Sequence, residues 1–174
     1  VRGRIRIESG RTGRSVLRFG MFERVVHWTV AGSFVLLAVT GLNLLYGRYL
    51  FKSWFGADTF STMTMLGKYI HNYVGLLFIL GLGLMFIVWC RQNLPSRIDL
   101  SWLAQGGGMF KRGVHPPAKK FNAGQKIVFA AVIIGGALLS YSGITLMFPF
   151  AAGLTVQDMQ QIQLLHAMGA LALT

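Results

Sequence analysis

Three of the chain's four histidines, His27, His71 and His166, stand at the mouths of long apolar stretches. Ionisable side chains are costly in segments that cross a bilayer, and where they occur they usually mark a function. A neutral imidazole is a natural axial ligand for haem iron. The question is therefore which of these histidines can meet, and around what. The fourth, His115, precedes Pro116 and Pro117 in a polar stretch and reads as a solvated or turn-stabilising residue.

The elements that must position these histidines follow from composition. Of 174 residues, 53% are hydrophobic and only 13% are charged, and the mean hydropathy is +0.54. A soluble domain of this size needs more polar surface, so the composition indicates a lipid-embedded helical domain. Apolar spans are expected at about 27–47, 69–90, 126–148 and 162–174, and the first three are long enough to cross a bilayer core. The expected fold is all-α, a transmembrane up-down four-helix bundle whose fourth helix is truncated. The chain starts at Val1, has its first methionine at Met21 and stops inside an apolar run, so it reads as incomplete. Residues 1–26 form a basic arm, with a weak alternation at Ile5 and Ile7, ahead of the membrane domain 27–174.

Charge orients the bundle. Seven basic residues precede the first span (Arg2, Arg4, Arg6, Arg11, Arg14, Arg18, Arg24). Seven more lie between the second and third spans (Arg91, Arg97, Lys111, Arg112, Lys119, Lys120, Lys126). Only Arg48, Lys52 and Lys68 fall between the first and second, and none follows the third. This asymmetry is the positive-inside pattern, which places the N-terminus and the 91–125 loop in the cytoplasm. A nucleic-acid-binding stripe has no reason to alternate with membrane connections, so the net charge of +12 does not imply DNA or RNA. The arm can instead lie on anionic lipid or against a soluble partner. Cys90 is the single cysteine, which excludes a disulfide framework or a cysteine-ligated cluster built by this chain alone.

Topology then sorts the histidines. His71 and His166 both begin outer-side spans and share a depth, so they are the one pair able to hold a single iron from opposite sides. His27 lies near the inner face without a partner. A matching ligand on the fourth span sits about 13–14 residues beyond His166, the number needed to cross roughly 20 Å. That position is past Thr174. For each histidine the competing reading is an interfacial side chain bonded to a backbone carbonyl. Gly67 and Gly75 around His71, Gly169 after His166, and Gly32 and Gly41 after His27 leave room for a flat macrocycle, although glycine also serves ordinary membrane-helix packing. Lys68 and Arg48 have the right side to pair with propionates of an outer haem, and Arg24 with those of an inner one; simple snorkelling is the alternative. Asn122, Gly124 and Gln125, at the mouth of the third span, offer amides and open backbone for a quinone carbonyl, or a helix cap.

Five motifs carry a family resemblance: ERVVHW at 23–28, LGKYIHNYVGLLF at 66–78, FNAGQK at 121–126, SGITLMFP at 142–149 and LLHAMGA at 164–170. Spread over about residues 20–174, they make the chain resemble the gamma, or cytochrome b556, subunits of membrane-bound formate dehydrogenases. The cytochrome b subunits of nickel–iron hydrogenases are the close alternative. The resemblance implies a non-catalytic electron-transfer subunit with two b-type haems in a bacterial inner membrane. In it, the outer haem is ligated by His71 and His166, and the inner by His27 with a ligand absent from these residues. It also implies a menaquinone or ubiquinone site near Asn122, Gly124 and Gln125. The implied partners are an iron–sulfur beta subunit and a molybdenum- or tungsten-pterin alpha subunit, with a higher-order oligomer left open. Electrons would enter at the outer haem and leave to quinone at the inner side. A haem-free membrane anchor or assembly scaffold is the alternative of another class. A transporter fits poorly, because its polar groups belong near the midplane rather than at span ends.

Overall fold

The structure, a computed structural model, describes residues 17–108 and 116–174. The first part of the arm, with the Ile5–Ile7 alternation, and His115 lie outside the described residues. Six α-helices are present among them: α1 (Met21–Leu50), α2 (Lys52–Phe55), α3 (Ala57–Trp89), α4 (Arg97–Ala104), α5 (Ala123–Met147) and α6 (Val156–Leu173). α1, α3 and α5 are long and apolar enough to cross a membrane. With α6 they form an all-α, membrane-spanning bundle.

Pairs of touching residues fix its register. Gly47 meets Phe60, Gly67 meets Asn43, and Gly81 meets Val30, so α1 and α3 run antiparallel. Gly169 lies against Leu139 and Gly135 against Leu173, so α5 and α6 form a second antiparallel hairpin. Leu82 and Phe78 close on Gly136, which joins α3 to α5. Glycine at these points lets backbones approach, and the attraction that holds them is mostly dispersion, because lipid tails are as apolar as the side chains they replace. The buried apolar cluster is Val26, Val30, Phe78, Leu82, Met85 and Trp89, at the end of the bundle that carries the basic residues. Elsewhere the long helices turn apolar side chains outward: Val39, Leu80, Ile87, Ile134 and Tyr141 are all exposed. An apolar exterior around a small core is the inverse of a soluble domain and suits a multi-pass membrane protein.

The helices are longer than the apolar runs within them. α1 has 30 residues and α3 has 33, or about 45–50 Å at 1.5 Å per residue, against a hydrocarbon core of about 30 Å. Hydropathy marks the part inside lipid, whereas hydrogen bonding carries the helix on into the polar zone. The connection expected between the first two spans therefore shrinks to Phe51, α2 and Gly56, and Gly56 takes the left-handed φ of +77° that turns the chain into α3. α6 likewise starts before residue 162, where Thr155 and Asp158 cap it reciprocally. α4, inside the 91–125 loop, has no apolar run long enough to announce it.

Two ion pairs close the basic end. Glu23 of α1 accepts from the Trp89 indole at 2.9 Å and pairs with Lys120, joining α1, the end of α3 and the approach to α5. Lys126 of α5 is buried and donates to Asp99 at 2.7 Å and to the Leu94 carbonyl at 2.9 Å, tying α4 beneath the bundle. Asp99 also caps α4 by accepting from the Ser96 amide. The Lys126 bond, helped by Ser96, holds the Asp99 carboxyl below the usual carboxylate range.

Candidate functional site

His71 lies on α3 and His166 on α6, helices far apart in sequence that run in the same direction. The structure brings their rings together: the centroids are 6.3 Å apart and the planes 73° from parallel. That separation has chemical meaning. Two imidazoles on opposite sides of one iron are separated by two bonds of about 2 Å and two ring-centre-to-nitrogen distances of about 1 Å, roughly 6 Å in all. Both histidines are half-buried. Among the described residues, no three histidine, cysteine or carboxylate side chains cluster to hold a bare metal ion. A pair alone suits an iron whose four equatorial ligands come from a macrocycle.

Each ring is held from behind in the same way. The Nδ1 of His71 lies 2.9 Å from the Thr40 hydroxyl, and the Nδ1 of His166 lies 2.8 Å from the Ser142 hydroxyl. Next to each hydroxyl is a glycine. A Cβ on Gly41 would lie 3.3 Å from Cε1 of His71, and one on Gly143 would lie 3.3 Å from Cε1 of His166. Thr40–Gly41 on α1 and Ser142–Gly143 on α5 are thus equivalent seats, each for a histidine on the following long helix. Sequence reasoning did not find Thr40 or Ser142. Their signal is present, a hydroxyl–glycine dipeptide in the helix before each histidine, but it acquires meaning only when the hairpins are closed.

The other glycines have different work. Gly41, grouped in the sequence with His27, faces His71 instead. Gly67, Gly75 and Gly169 lie nearest to Asn43, Leu37 and Leu139, across helix–helix contacts. Gly32 has open surroundings. Asn43, one turn beyond Thr40, has its Oδ1 buried with no hydrogen-bond partner among the described residues.

Cations gather at the same end. Arg48, Lys52 and Lys68 line an open groove with Phe60, Ser61 and Thr64. Lys68 is one helical turn from His71, and Lys52, which was not among the residues expected to pair with propionates, completes a positive cluster. At the opposite end His27 is exposed, with its ring edge-on to Trp28 at 5.3 Å. Arg24 and Trp28 border a shallow groove beside it. Thirteen residues of helix, about 20 Å, separate His27 from Thr40. From His166 to Leu173 α6 covers about 10 Å, so no second histidine stands at the depth of His27 among the described residues.

Asn122 and Gln125 form the reciprocal cap of α5: the Gln125 amide donates to Asn122 Oδ1 at 2.9 Å, and the Asn122 amide to Gln125 Oε1 at 3.1 Å. Both side-chain oxygens are used in this way, leaving the amide nitrogens as donors. Gly124 is half-buried against Trp102, whose Cη2 would lie 3.2 Å from an added Cβ.

The family model described as prokaryotic cytochrome b561 matches residues 18–174. The chain is 28% identical over 163 residues to the cytochrome b556(Fdn) subunit of the nitrate-inducible formate dehydrogenase of Escherichia coli K12, covering 92% of this chain and 73% of that protein. It is 29% identical over 160 residues to the cytochrome b556(fdo) subunit of formate dehydrogenase from the same organism, covering 91% and 74%. A formate dehydrogenase cytochrome b556 subunit from Haemophilus influenzae is 22% identical over 131 residues, covering 74% of this chain and 53% of that protein.

Proposed function

Because the chain belongs to the prokaryotic cytochrome b561 family, whose members bind haem, we propose that it is the membrane electron-transfer subunit of a respiratory formate dehydrogenase. The observation that carries this reading is the His71–His166 pair at 6.3 Å. Haem bound there supplies a one-electron carrier whose potential is set by its ligands and by burial. His71 and His166 would hold the outer haem, and His27 one side of an inner haem whose second ligand lies outside these residues. Arg48 and Lys68, joined by Lys52, would neutralise outer propionates, and Arg24 inner ones. The chain itself performs no bond chemistry on formate.

Direction follows from position. The pair lies at the end of the bundle away from the arm, where an iron–sulfur subunit would deliver electrons from a molybdenum- or tungsten-pterin subunit. The basic end carries the Asn122 and Gln125 amide nitrogens, which would donate to a menaquinone or ubiquinone carbonyl near Gly124. The basic residues at that end support a cytoplasmic position in a bacterial inner membrane by the positive-inside rule, and electron movement toward it would contribute to the membrane potential.

The test is haem content and the reduced absorption spectrum of the assembled complex. His71→Ala and His166→Ala should each lose the same haem, and His27→Ala the other. Full haem content with an unaltered spectrum in both His71→Ala and His166→Ala would overturn the assignment.

A further inference from the structure

We propose that Thr40 and Ser142 are paired positioning residues that fix the proton of His71 and of His166 on Nδ1, turning both Nε2 lone pairs toward one iron. The inference rests on the haem reading above and concerns residues that would act through the ligands.

The hydrogen-bond inventory of each hydroxyl supports it. Thr40 Oγ1 lies 2.7 Å from the Leu36 carbonyl and 3.2 Å from the Leu37 carbonyl. Ser142 Oγ lies 2.8 Å from the Leu138 carbonyl and 3.3 Å from the Leu139 carbonyl. A hydroxyl has one proton to give. With that proton directed to the carbonyl one turn back, the oxygen meets Nδ1 through a lone pair, and Nδ1 must be the donor. Each ring is left with Nε2 as a free lone pair, the form that binds iron.

The duplication strengthens the case. Hydroxyl, neighbouring glycine, carbonyls one turn back and histidine on the next long helix recur in both hairpins, at sequence separations of 31 and 24 residues. Ser142 is fully buried, where an unpaired hydroxyl would be costly. Burial of one seat could arise from packing alone. Two equivalent seats behind one histidine pair have a common use at that pair. A hydrogen bond to Nδ1–H fixes ring orientation and raises the basicity of the ligand nitrogen, which favours ferric over ferrous iron.

The experiment uses Thr40→Val, Ser142→Ala and the double variant in the assembled membrane complex, with Thr40→Ser as the conservative control. The readouts are the midpoint potential of the haem lost in His71→Ala, and its rate of transfer to an apo-haem acceptor. Each single variant should raise the potential and speed haem loss by roughly 10–100-fold, the usual effect of removing an outer hydrogen bond to a metal-binding histidine. The double variant should exceed either, and Thr40→Ser should match the parent. If Thr40→Val assembles without haem, Thr40→Ala and Ser142→Ala carry the same two measurements. Unchanged potential and loss rate in Thr40→Val, or in Thr40→Ala where that variant stands in, and in Ser142→Ala would overturn the proposal. If His71→Ala and His166→Ala still abolish the haem in that case, only the positioning role has failed. If those two variants retain haem, the haem reading itself has failed.

Discussion

Replacing the glycines beside the two histidines should displace the rings in a graded way. An alanine Cβ at position 41 or 143 would approach Cε1 of His71 or His166 to 3.3 Å, inside the usual 3.5–4.0 Å separation of carbon atoms. The ring can yield by a few tenths of an ångström, so Gly41→Ala and Gly143→Ala should keep haem with a modest change in spectrum. Valine is different in kind. Its methyl groups extend about 1.5 Å beyond Cβ, and a methyl turned toward the ring would take up much of the 3.3 Å separation. The approach would then fall to about 2 Å, a distance that a helix-bound ring cannot absorb. Overpacking of this sort costs about 1–3 kcal/mol, which corresponds to roughly 5- to 150-fold weaker haem retention. Gly83→Val serves as the control, because nothing lies within 4 Å of a Cβ there. Haem per polypeptide and the reduced spectrum of the purified complex provide the assay. Full haem with a parental spectrum in both Gly41→Val and Gly143→Val would refute the ring positions from which the loss is calculated.

Two further outcomes concern the scaffold. The Asp99 carboxyl titrates below its ordinary value in the native state because of Lys126 first and Ser96 second. Its stabilising effect is therefore complete above about pH 4, the unfolded aspartate value, and disappears as pH falls through the lowered native value. Thermal unfolding of the purified complex should show acid destabilisation in that window, and Asp99→Asn should be less stable near neutrality with a flatter acid limb; identical pH profiles would count against the Lys126–Asp99 tie. At Gly136, an added Cβ would meet Leu82 Cδ2 at 2.9 Å and Phe78 Cζ at 3.3 Å, both side chains buried. Gly136→Ala should destabilise by about 1–3 kcal/mol, more than the improvement in helix propensity of up to about 1 kcal/mol, whereas Gly83→Ala keeps only the improvement. Detergent-unfolding curves ranking Gly136→Ala as the more stable variant would show that the α3–α5 approach is looser than described.

The sequence by itself determined the class of structure. Apolar runs of bilayer length, interrupted by polar connections, leave helices as the solution that satisfies every backbone hydrogen bond in lipid. The alternation of basic residues ordered those helices, and helix direction alone matched His71 with His166 in depth while separating His27. Hydropathy could not give the helix ends, because hydrogen bonding continues past the apolar run; α3 begins at Ala57, well before the apolar stretch that marks it. Nor could depth give azimuth. Whether His71 faces His166, lipid or another helix depends on rotation about two axes, which is set by close approaches such as Gly81 on Val30 and Gly136 on Leu82. Only that packing brings Thr40 and Ser142 behind the two rings. A hydroxyl in an apolar helix is ambiguous in sequence, since it can always bond to the carbonyl one turn back. Here it does so and still has a lone pair to offer, and the tertiary fold decides that a histidine takes it.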